Sequence, residues 1–526
     1  MLLREILEFN AIKTPDATAV AFDDDQHTSF RRLHQRAMRL ANGLAEIGRA
    51  GDAVAILADN CAEYVEAYYG VPAARQRLVF LNYRLAPREL IRIINDSGAR
   101  VLLYRANFAD AVAQMRDALD AVEHFYVIGG EPHGAPHHDP NYIKLLGNSA
   151  APPCAGDDDD RDVAWLIYTS GTTGMPKGAM LSHRNLIFSA MNSLATFGSN
   201  VPEPRYLMPF PMCHIAGYAI LTQHLRGVPV FLMNQFEPRS WLELIERHRI
   251  TATSLAPTML NMVLNHPDVD RFDTSSLDNI GYGASSIPAE VLSRAMTRFG
   301  NVFSQGFGMT ELAGNVLFMD RDTHLRAASG EPHLLGAAGR RGSLAAVRIV
   351  DEAFEDCEPG ATGEIVVKGD QVLCGYWQRP DAEAEAFHDG WFRTGDMARL
   401  DEEGFVYIVD RKKDMIISGG ENVYPREVEE VLYRHPAVAE VAVFGVSDAD
   451  WGERVTAAIV TRAGASVVDE AELADQLERS CRAELAGYKR PRAWHFVDEI
   501  PKNVSGKILK RTLRERFSPA REEGNA

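Results

Sequence analysis

A stretch rich in glycine and hydroxyl side chains, from Tyr168 to Gly178, contains the residues best suited to binding an anion. It follows an apolar run over 163–167 that predicts a short buried strand, and Ser182 after it can cap a helix over 184–194. Glycines let backbone N–H groups approach a ligand closely, and hydroxyls add further donors. Lys177 adds a positive charge that suits phosphate. The stretch therefore predicts polyphosphate binding.

The spacing in this stretch differs from that of a Walker loop, in which a lysine follows the last glycine and opens a helix. Here Pro176 precedes Lys177 and Gly178 follows it. An ordinary flexible loop is the alternative for a short glycine-rich string, but this longer string is much more specific. It resembles the phosphate loop of the acyl- and aryl-CoA synthetases. These belong to the adenylate-forming superfamily, which includes luciferases and peptide-synthetase adenylation domains.

The resemblance implies that this loop holds the phosphates of ATP. In the superfamily the hydroxyls, glycines and lysine of the loop contact the nucleotide, and one threonine takes part in catalysis. The implied nucleotide-binding residues are Thr169, Ser170, Gly171, Thr172, Thr173, Gly174 and Lys177, of which Thr172 is the catalytic one.

Two further strings resemble the acyl site of the superfamily. Residues 209–214 resemble the segment whose histidine borders the acyl pocket, and residues 282–288 resemble the loop between the acyl and nucleotide sites. A hydrogen-bonded core histidine and a tight turn are the ordinary alternatives. The resemblance implies an acyl pocket at His214, Ile215, Gly217 and Tyr282, a catalytic part for His214, and nucleotide contacts at Gly283 and Ala284.

The run 305–311 combines an aromatic residue, a hydroxyl and a carboxylate. A carboxylate directly after a hydroxyl can hold Mg²⁺ beside phosphates, because Mg²⁺ takes only one or two protein oxygens. The resemblance implies that Glu311 is catalytic and binds the metal. It also implies nucleotide contacts at Gln305, Gly306, Phe307 and Thr310. The superfamily usually has tyrosine in place of Phe307, so an aromatic face is kept and a hydroxyl contact is lost.

Later strings complete the resemblance. It implies that Asp396 and Arg411 bind the ribose of ATP and AMP, and that Lys413 is the hinge about which a small domain turns. Gly420 matches a glycine beside the pantetheine tunnel, and Lys507 matches the catalytic lysine of the first half-reaction. A common Thr-Gly-Asp turn is the alternative for Asp396, and an ordinary basic loop is the alternative for Lys507.

A group of residues near the C-terminus also resembles the surface that binds the nucleotide part of CoA in related ligases. Aromatic and cationic side chains cluster there, and the alternative is a solvated charged face. The CoA-binding residues that the resemblance implies are Gly419, Gly420, Glu421, Trp451, Tyr488, Arg490 and Arg492.

The fold class predicted is α/β, because helical and strand-like runs alternate along much of the chain. The resemblance implies a large N-terminal α/β/α domain over 1–410 and a small, mobile α+β domain over 411–526. Short strands between Gly, Pro and Asp turns predict a β-rich subdomain over 330–410. The Gly-, Pro-, His- and Asp-rich segment 129–162 predicts a solvated surface loop.

Composition narrows the possible functions. A net charge of −18 over 526 residues argues against nonspecific nucleic-acid binding. The six cysteines are scattered, which argues against structural zinc and disulfides and favours the cytoplasm. The N-terminus predicts an amphipathic helix rather than a signal peptide. The uncharged run 206–225 is interrupted by proline and polar residues, so no membrane span is expected; loose membrane association remains open.

Together these strings resemble the superfamily in order along the chain, and the resemblance implies an ATP-dependent acyl-CoA ligase that uses Mg²⁺ and CoA as well as ATP. A carboxylate attacks the α-phosphate of ATP to give acyl-AMP and pyrophosphate, and the CoA thiol then displaces AMP. A fatty acid is the favoured substrate because residues 410–425 and 213–218 look most like those of bacterial fatty-acyl-CoA ligases. An aryl-acid CoA ligase and an acyl-AMP ligase that loads a carrier protein are the alternatives. A homodimer is plausible.

Overall fold

The computed structural model describes residues 1–22, 26–130, 139–153, 158–169, 176–197, 201–283, 287, 289–448, 450–462, 469–502 and 508–518. The chain divides into two compact units. The first unit is 1–347 with 367–392, and the second is 348–366 with 393–526. The domain boundary at residue 410 stays a prediction.

The described residues form helices of about three turns on average. They are α1 Leu3–Lys13, α2 Phe30–Ile47, α3 Ala62–Ala73, α4 Pro87–Ser97, α5 Ala109–Met115, α6 His183–Thr196, α7 Tyr218–Leu225, α8 Pro238–His248, α9 Pro257–Leu264, α10 Ala289–Phe299, α11 Arg321–Ala328, α12 Pro380–Ala386, α13 Pro425–Tyr433, α14 Glu470–Glu484 and α15 Lys510–Phe517.

The strands are mostly short. They are β1 Thr18–Phe22, β2 Gln26–Ser29, β3 Ala53–Leu57, β4 Arg77–Leu81, β5 Ala99–Arg105, β6 His124–Ile128, β7 Val163–Thr169, β8 Lys177–Ser182, β9 Tyr206–Met208, β10 Val230–Leu232, β11 Ala252–Leu255, β12 Asn279–Gly283, β13 Phe303–Met309, β14 Gly314–Met319, β15 Arg340–Arg341, β16 Ala346–Val350, β17 Thr362–Lys368, β18 Gly375–Tyr376, β19 Phe387–His388, β20 Trp391–Leu400, β21 Val406–Arg411, β22 Ile416–Ser418, β23 Glu421–Val423, β24 Val438–Asp448, β25 Gly452–Thr461 and β26 Ala493–Phe496.

A seven-stranded sheet in the first unit has the order β18-β8-β7-β4-β3-β5-β6. Its strands from β7 to β6 run parallel, and β8 and β18 add antiparallel strands at one edge. Every residue of β3 is apolar and buried, as expected for a parallel strand covered on both faces. This sheet presents the β7–β8 hairpin, whose loop is the predicted phosphate loop.

A nine-stranded sheet, also in the first unit, has the order β15-β14-β13-β12-β11-β9-β10-β1-β2. Its central pairs are parallel, and β14, β15 and β2 join antiparallel at the edges. Strands β12 and β13 end in the predicted nucleotide residues. The carboxyl ends of parallel strands meet at one edge of a sheet, which is where α/β proteins bind ligands.

Two five-stranded sheets complete the fold. The first has the order β16-β17-β20-β19 with β21 on β20, and the second has the order β23-β22-β25-β24 with β26 on β25. Helices α13 and α14 bury Val428, Leu432 and Leu477 against the apolar face of the second sheet. This apolar layer gives the second unit a hydrophobic core of its own.

The predicted α/β class is confirmed, and many elements lie where the apolar pattern places them. Residues 30–47 have helical apolar spacing in the sequence and form α2, and the Ser29 hydroxyl caps this helix by accepting from the Arg32 N–H at 3.3 Å. The predicted cap on α6 is also found, because the Ser182 hydroxyl accepts from the Asn185 N–H. Strand β25 was not predicted, although it lies at the centre of its sheet.

The prediction of a solvated surface loop over 129–162 is wrong for part of its length. A 3₁₀ turn over Tyr142–Leu145 buries Tyr142 and Leu145, which are 2% and 3% exposed. The Tyr142 hydroxyl donates to Glu66 at 2.9 Å, and the Leu145 backbone lies against Gly43 of α2. The polar composition of the segment hid these few apolar anchors. Within the described residues, no helix is both long enough and apolar enough to span a bilayer.

The contact at Gly43 leads to a stability prediction. A Cβ atom on Gly43 would lie 1.6 Å from the Leu145 carbonyl oxygen, so Gly43→Ala must push the two backbones apart. We expect Gly43→Ala to destabilise the protein by about 1–3 kcal/mol, measured by urea unfolding. Gly336→Ala is the control, since no atom lies within 4 Å of its Cβ position. Equal stability of the two variants would contradict this account of the contact.

Candidate active site

The predicted phosphate loop is the turn of the β7–β8 hairpin. Thr169 and Lys177 pair across the two strands, as do Tyr168 and Gly178. The loop residues Ser170, Gly171, Thr172, Thr173 and Gly174 lie outside the described residues, as do Ala284 and Lys507. The hairpin therefore brings a hydroxyl and a cation, eight positions apart in sequence, to the same end of the sheet.

Glu311 lies in a 3₁₀ turn that directly follows β13. Its side chain is 7% exposed, and its Oε1 accepts hydrogen bonds from the Thr169 hydroxyl at 3.1 Å and the Tyr376 hydroxyl at 3.3 Å. The Leu373 N–H donates to the Glu311 carbonyl oxygen at 2.8 Å. The carboxylate is thus oriented from the phosphate hairpin and from the β18 segment. One buried carboxylate with a neighbouring hydroxyl fits the few protein oxygens that Mg²⁺ requires.

Tyr376 connects the carboxylate to the lysine. Burial, and then the neighbouring Glu311 carboxylate, raise the pKa of Tyr376 well above its usual range, so its hydroxyl keeps the proton that it donates. The Lys177 Nζ lies 5.5 Å from the centre of the same ring, within the range of a cation–π contact. Sequence reasoning missed Tyr376, although the Gly375–Trp377 string is a visible aromatic signal.

Adjacent strands bring together four of the residues predicted from the resemblance. Tyr282 and Gln305 are neighbours across β12 and β13, as are Gly283 and Gly306. The Tyr282 hydroxyl lies 3.0 Å from Gln305 Oε1 and 2.9 Å from His324 Nε2. A Cβ on Gly283 would come within 2.4 Å of the Gly306 carbonyl oxygen. The close approach of the two strands therefore requires glycine at this position.

Side chains from distant parts of the sequence hold the segment that contains His214 in place. The Asn60 side chain donates to the Phe210 carbonyl oxygen and accepts from the Met212 N–H. Gly217 lies so close to Tyr68 that a Cβ there would be 2.0 Å from the phenol oxygen. Ile215 lies between these two fixed points, in the 3₁₀ turn Ile215–Gly217. Sequence reasoning missed Asn60 and Tyr68, since both lie more than 140 positions from the segment that they hold.

His214 itself is partly buried. Its Nε2 lies 3.5 Å from the Asn82 side-chain amide. Burial, and then the neighbouring Arg84, lower the pKa of His214 to about 4. The imidazole is therefore neutral near pH 7 and adds no positive charge to the site.

A polar cluster lies directly after the predicted acyl segment, on Tyr218 at the start of α7. The Asn315 amide donates to the Tyr218 hydroxyl at 2.9 Å, and the Ser193 hydroxyl lies 3.3 Å from the same oxygen. Asn315 also packs against Gly306, whose Cβ would lie 2.3 Å from the Asn315 amide nitrogen. The cluster thus joins the acyl segment to the nucleotide strand. Phe307 and Thr310 follow on that strand and the turn after it, both partly buried.

In the second unit, Asp396 and Arg411 face each other across β20 and β21. Their side chains form an ion pair of 2.5 Å, and Asp396 is 3% exposed. The two predicted ribose-binding residues are therefore brought together. Lys413 follows in a 3₁₀ turn, and burial lowers its pKa.

The predicted CoA residues form two groups in the second unit. In one, the Arg492 guanidinium stacks 3.6 Å above the Trp451 ring, and Trp451 covers Gly419. Gly419 and Gly420 both have positive φ and are followed by the exposed Glu421 at the start of β23. In the other group, Tyr488 packs on the core and Arg490 donates to the Leu485 carbonyl oxygen. The Arg490 guanidinium is thus already hydrogen-bonded to a backbone carbonyl group five residues earlier in the chain.

Comparison with known proteins matches almost the whole chain. The family model named AMP-binding enzyme matches residues 7–377, and the model of its C-terminal domain matches residues 427–507. A feruloyl-CoA synthase of Amycolatopsis sp is 41% identical over 507 residues, covering 96% of each chain. The long-chain-fatty-acid–CoA ligase FadD13 of Mycobacterium tuberculosis is 35% identical over 94% of each chain.

Solved structures agree with these matches. The o-succinylbenzoate CoA synthetase MenE of Bacillus subtilis, in complex with the acyl-adenylate intermediate OSB-AMP, superposes with a TM-score of 0.82. It is 32% identical and the match covers 97% of each chain. Fold and sequence therefore point to the same group of enzymes.

The surroundings of Glu311 generate a prediction about metal. Glu311→Gln keeps the shape and removes the charge, so acid-dependent pyrophosphate release should fall by about 10²–10³ and require more Mg²⁺. The measurement is a Mg²⁺ titration of that release. Glu66→Gln is the matched control, because Glu66 is 2% exposed and accepts from Arg36 and Tyr142 in the same unit. An unchanged Mg²⁺ dependence in Glu311→Gln would leave Glu311 as a structural carboxylate.

Proposed function

The chain belongs to the AMP-binding, adenylate-forming enzyme family and is an AMP-forming acid–thiol ligase, and from this premise we propose how its residues divide the reaction. ATP and a carboxylic acid first form acyl-AMP and pyrophosphate. The CoA thiol then attacks the acyl carbon, and AMP leaves. We also propose that the reaction uses Mg²⁺, that its acid is a fatty acid or a hydroxylated aryl acid, and that the enzyme is a homodimer in the cytoplasm.

The observation that carries the proposal is the group formed by Thr169, Lys177, Glu311 and Tyr376. A carboxylate and a triphosphate repel each other, so the first step needs positive charge and fixed donors around the phosphates. Lys177 would supply one charge, and the loop residues predicted from the sequence would supply N–H and hydroxyl donors. Mg²⁺ bound to Glu311 would neutralise phosphate charge. Thr169 and Tyr376 orient the Glu311 carboxylate for that role.

The attacking group needs no general base, because a carboxylate is already deprotonated at neutral pH. This agrees with a neutral His214, which can border the acid without binding it as a cation. The residues of the first unit therefore position reactants and stabilise charge, and they transfer no proton in the first step.

We assign the second unit to the change between steps. Asp396 and Arg411 would hold the ribose of ATP and of AMP, while Lys413 would act as the hinge. Lys507 would approach the α-phosphate only in the first step. Gly420 would leave room for pantetheine only in the second. Two conformations would let one active site present different faces of the small domain.

CoA is favoured over a carrier protein as the acceptor by the stacked pair of Arg492 and Trp451. A guanidinium on an indole ring offers a flat, cationic surface that suits the adenine and phosphates of CoA. A carrier protein presents its pantetheine without that nucleotide. Thioester formation with free CoA, compared with a phosphopantetheinyl carrier protein, tests this choice of acceptor.

For the acid, a fatty acid is the first candidate, as predicted from the sequence. A hydroxylated aryl acid is the second, and two observations favour it. The cluster of Tyr218, Asn315 and Ser193 could hydrogen-bond a polar group on the acid, which a fatty chain lacks. The 41% identity to feruloyl-CoA synthase points the same way.

A substrate panel separates these two candidates. Pyrophosphate release should be compared for C4 to C18 fatty acids and for hydroxylated and unsubstituted cinnamic acids. A hydroxyaryl substrate should lose about tenfold or more in kcat/KM in Tyr218→Phe, because a hydrogen bond to the substrate is removed. A fatty acid should be unaffected or improved. Full activity on hydroxycinnamate in that variant would exclude the cluster as its binding group.

The division between two conformations predicts a crossed pair of phenotypes. Lys507→Ala should lose about 10²–10³ in ATP–pyrophosphate exchange yet still convert supplied acyl-AMP and CoA to acyl-CoA. Gly420→Leu should keep the exchange and lose the second conversion. No atom lies within 4 Å of a Cβ on Gly420, so a leucine there would obstruct a ligand rather than the protein.

Backbone strain must be separated from that obstruction, because Gly420 has a φ of +83°. Gly404→Leu is the matched control. It has the same φ of +83° in the same unit and equally open surroundings. Reversed phenotypes, or equal loss of both half-reactions in a folded Lys507→Ala, would refute the assignment of the two residues to separate steps.

A further inference from the structure

Asp96 is a carboxylate in an unfavourable place for its charge. It is the penultimate residue of α4, Pro87–Ser97. The carbonyl groups at a helix C-terminus give that end a partial negative charge, which disfavours an anion. The Asp96 side chain is only 19% exposed, so water screens it incompletely. Its partners from elsewhere in the chain must therefore hold it there.

Three side chains converge on Asp96 from distant parts of the sequence. The Tyr168 hydroxyl donates to Oδ2 at 2.6 Å, and the Arg379 guanidinium pairs with Oδ1 at 2.5 Å. The Trp377 indole N–H donates to the Asp96 carbonyl oxygen at 3.0 Å. Burial, followed by the hydrogen bond to Asp96, raises the pKa of Tyr168 well above its usual range, so this hydroxyl remains a donor.

Two of these partners, Tyr168 and Trp377, also contact Gly178, which lies in β8 next to the phosphate loop. Tyr168 pairs with Gly178 across the two strands, and the backbone N–H of Trp377 donates to the Gly178 carbonyl oxygen at 2.8 Å. A Cβ on Gly178 would lie 3.1 Å from the Tyr168 ring and 3.3 Å from the Trp377 Cβ. The Arg77 guanidinium lies 3.8 Å from the centre of the Trp377 ring. Gly178 of β8 is thus packed closely against Tyr168 and Trp377.

We propose that Asp96 is a positioning residue for ATP. Its side chain holds Tyr168 and Arg379 in place, its backbone carbonyl group holds Trp377, and these contacts fix the phosphate hairpin. Tyr168 directly precedes Thr169, and Trp377 directly follows Tyr376, so both donors to Glu311 Oε1 stand beside a residue that Asp96 holds. Asp96 does not touch the nucleotide. Its effect is to keep the hydroxyls of Thr169 and Tyr376 and the Lys177 ammonium in position for the phosphates. This proposal rests on the function proposed above.

The test separates ATP binding from the rest of the reaction. Asp96→Asn keeps the shape and removes the charge that pairs with Arg379. We expect the KM for ATP in ATP–pyrophosphate exchange to rise by about tenfold or more, since hydrogen bonds to charged groups are the stronger ones. The KM for the acid should change less than about twofold. Conversion of supplied acyl-AMP with CoA should persist. Tyr168→Phe, which removes one bond, should give a smaller rise.

Glu66→Gln is again the matched control, because Glu66 also accepts from one arginine and one tyrosine hydroxyl. It should lower thermal stability comparably and leave the KM for ATP unchanged. Asp96→Glu should recover part of the affinity for ATP if the charge is what matters. Calorimetric titration of Mg–ATP without acid gives a second reading that does not depend on turnover.

An unchanged ATP affinity in both Asp96→Asn and Tyr168→Phe would overturn the proposal. So would an equal rise in Glu66→Gln, since that would reduce the effect to general stability. If the wild-type protein shows no exchange with any acid, the proposed function fails instead, and the calorimetric affinities still test the role of Asp96.

Discussion

Backbone pairing between Thr169 and Lys177 brings a hydroxyl and a cation to the closed end of one hairpin, and much of the site depends on it. A polyphosphate repels the carboxylate that must attack it, so the donors have to be in place before the reactants meet. Because β8 also pairs with β18, the same sheet edge places Tyr376 where its hydroxyl, like that of Thr169, donates to Glu311. One run of hydrogen bonds between strands thus positions residues from two distant parts of the chain.

Glycine is the second physical requirement of this site. Gly283, Gly306 and Gly308 stand where a Cβ would fall within 2.4 Å of a neighbouring atom. In each case the neighbour belongs to an adjacent strand of the nine-stranded sheet. The strands that carry the predicted nucleotide residues can therefore approach closely only because these positions lack side chains.

The sequence was sufficient to predict the family, the α/β class and many elements, because those signals are local. The apolar period over α2 and the hydroxyl cap at Ser182 depend on neighbouring residues alone. The supports of the site are different. Tyr376, Asn60 and Asp96 act on residues more than 60 positions away, and no spacing rule connects them. Only the folded arrangement of the strands and their connections brings these residues to the side chains that they support.

The division of the chain has a consequence for exchanging parts between relatives. The second unit consists of two separate segments, 348–366 and 393–526. Glu364, which is 5% exposed, comes from the first segment, and it pairs with Arg393 and Lys412 from the second. A chimera joined by a single crossover after residue 392 would take this carboxylate and its cations from different parents. An exchange that preserves the pair must replace both segments together.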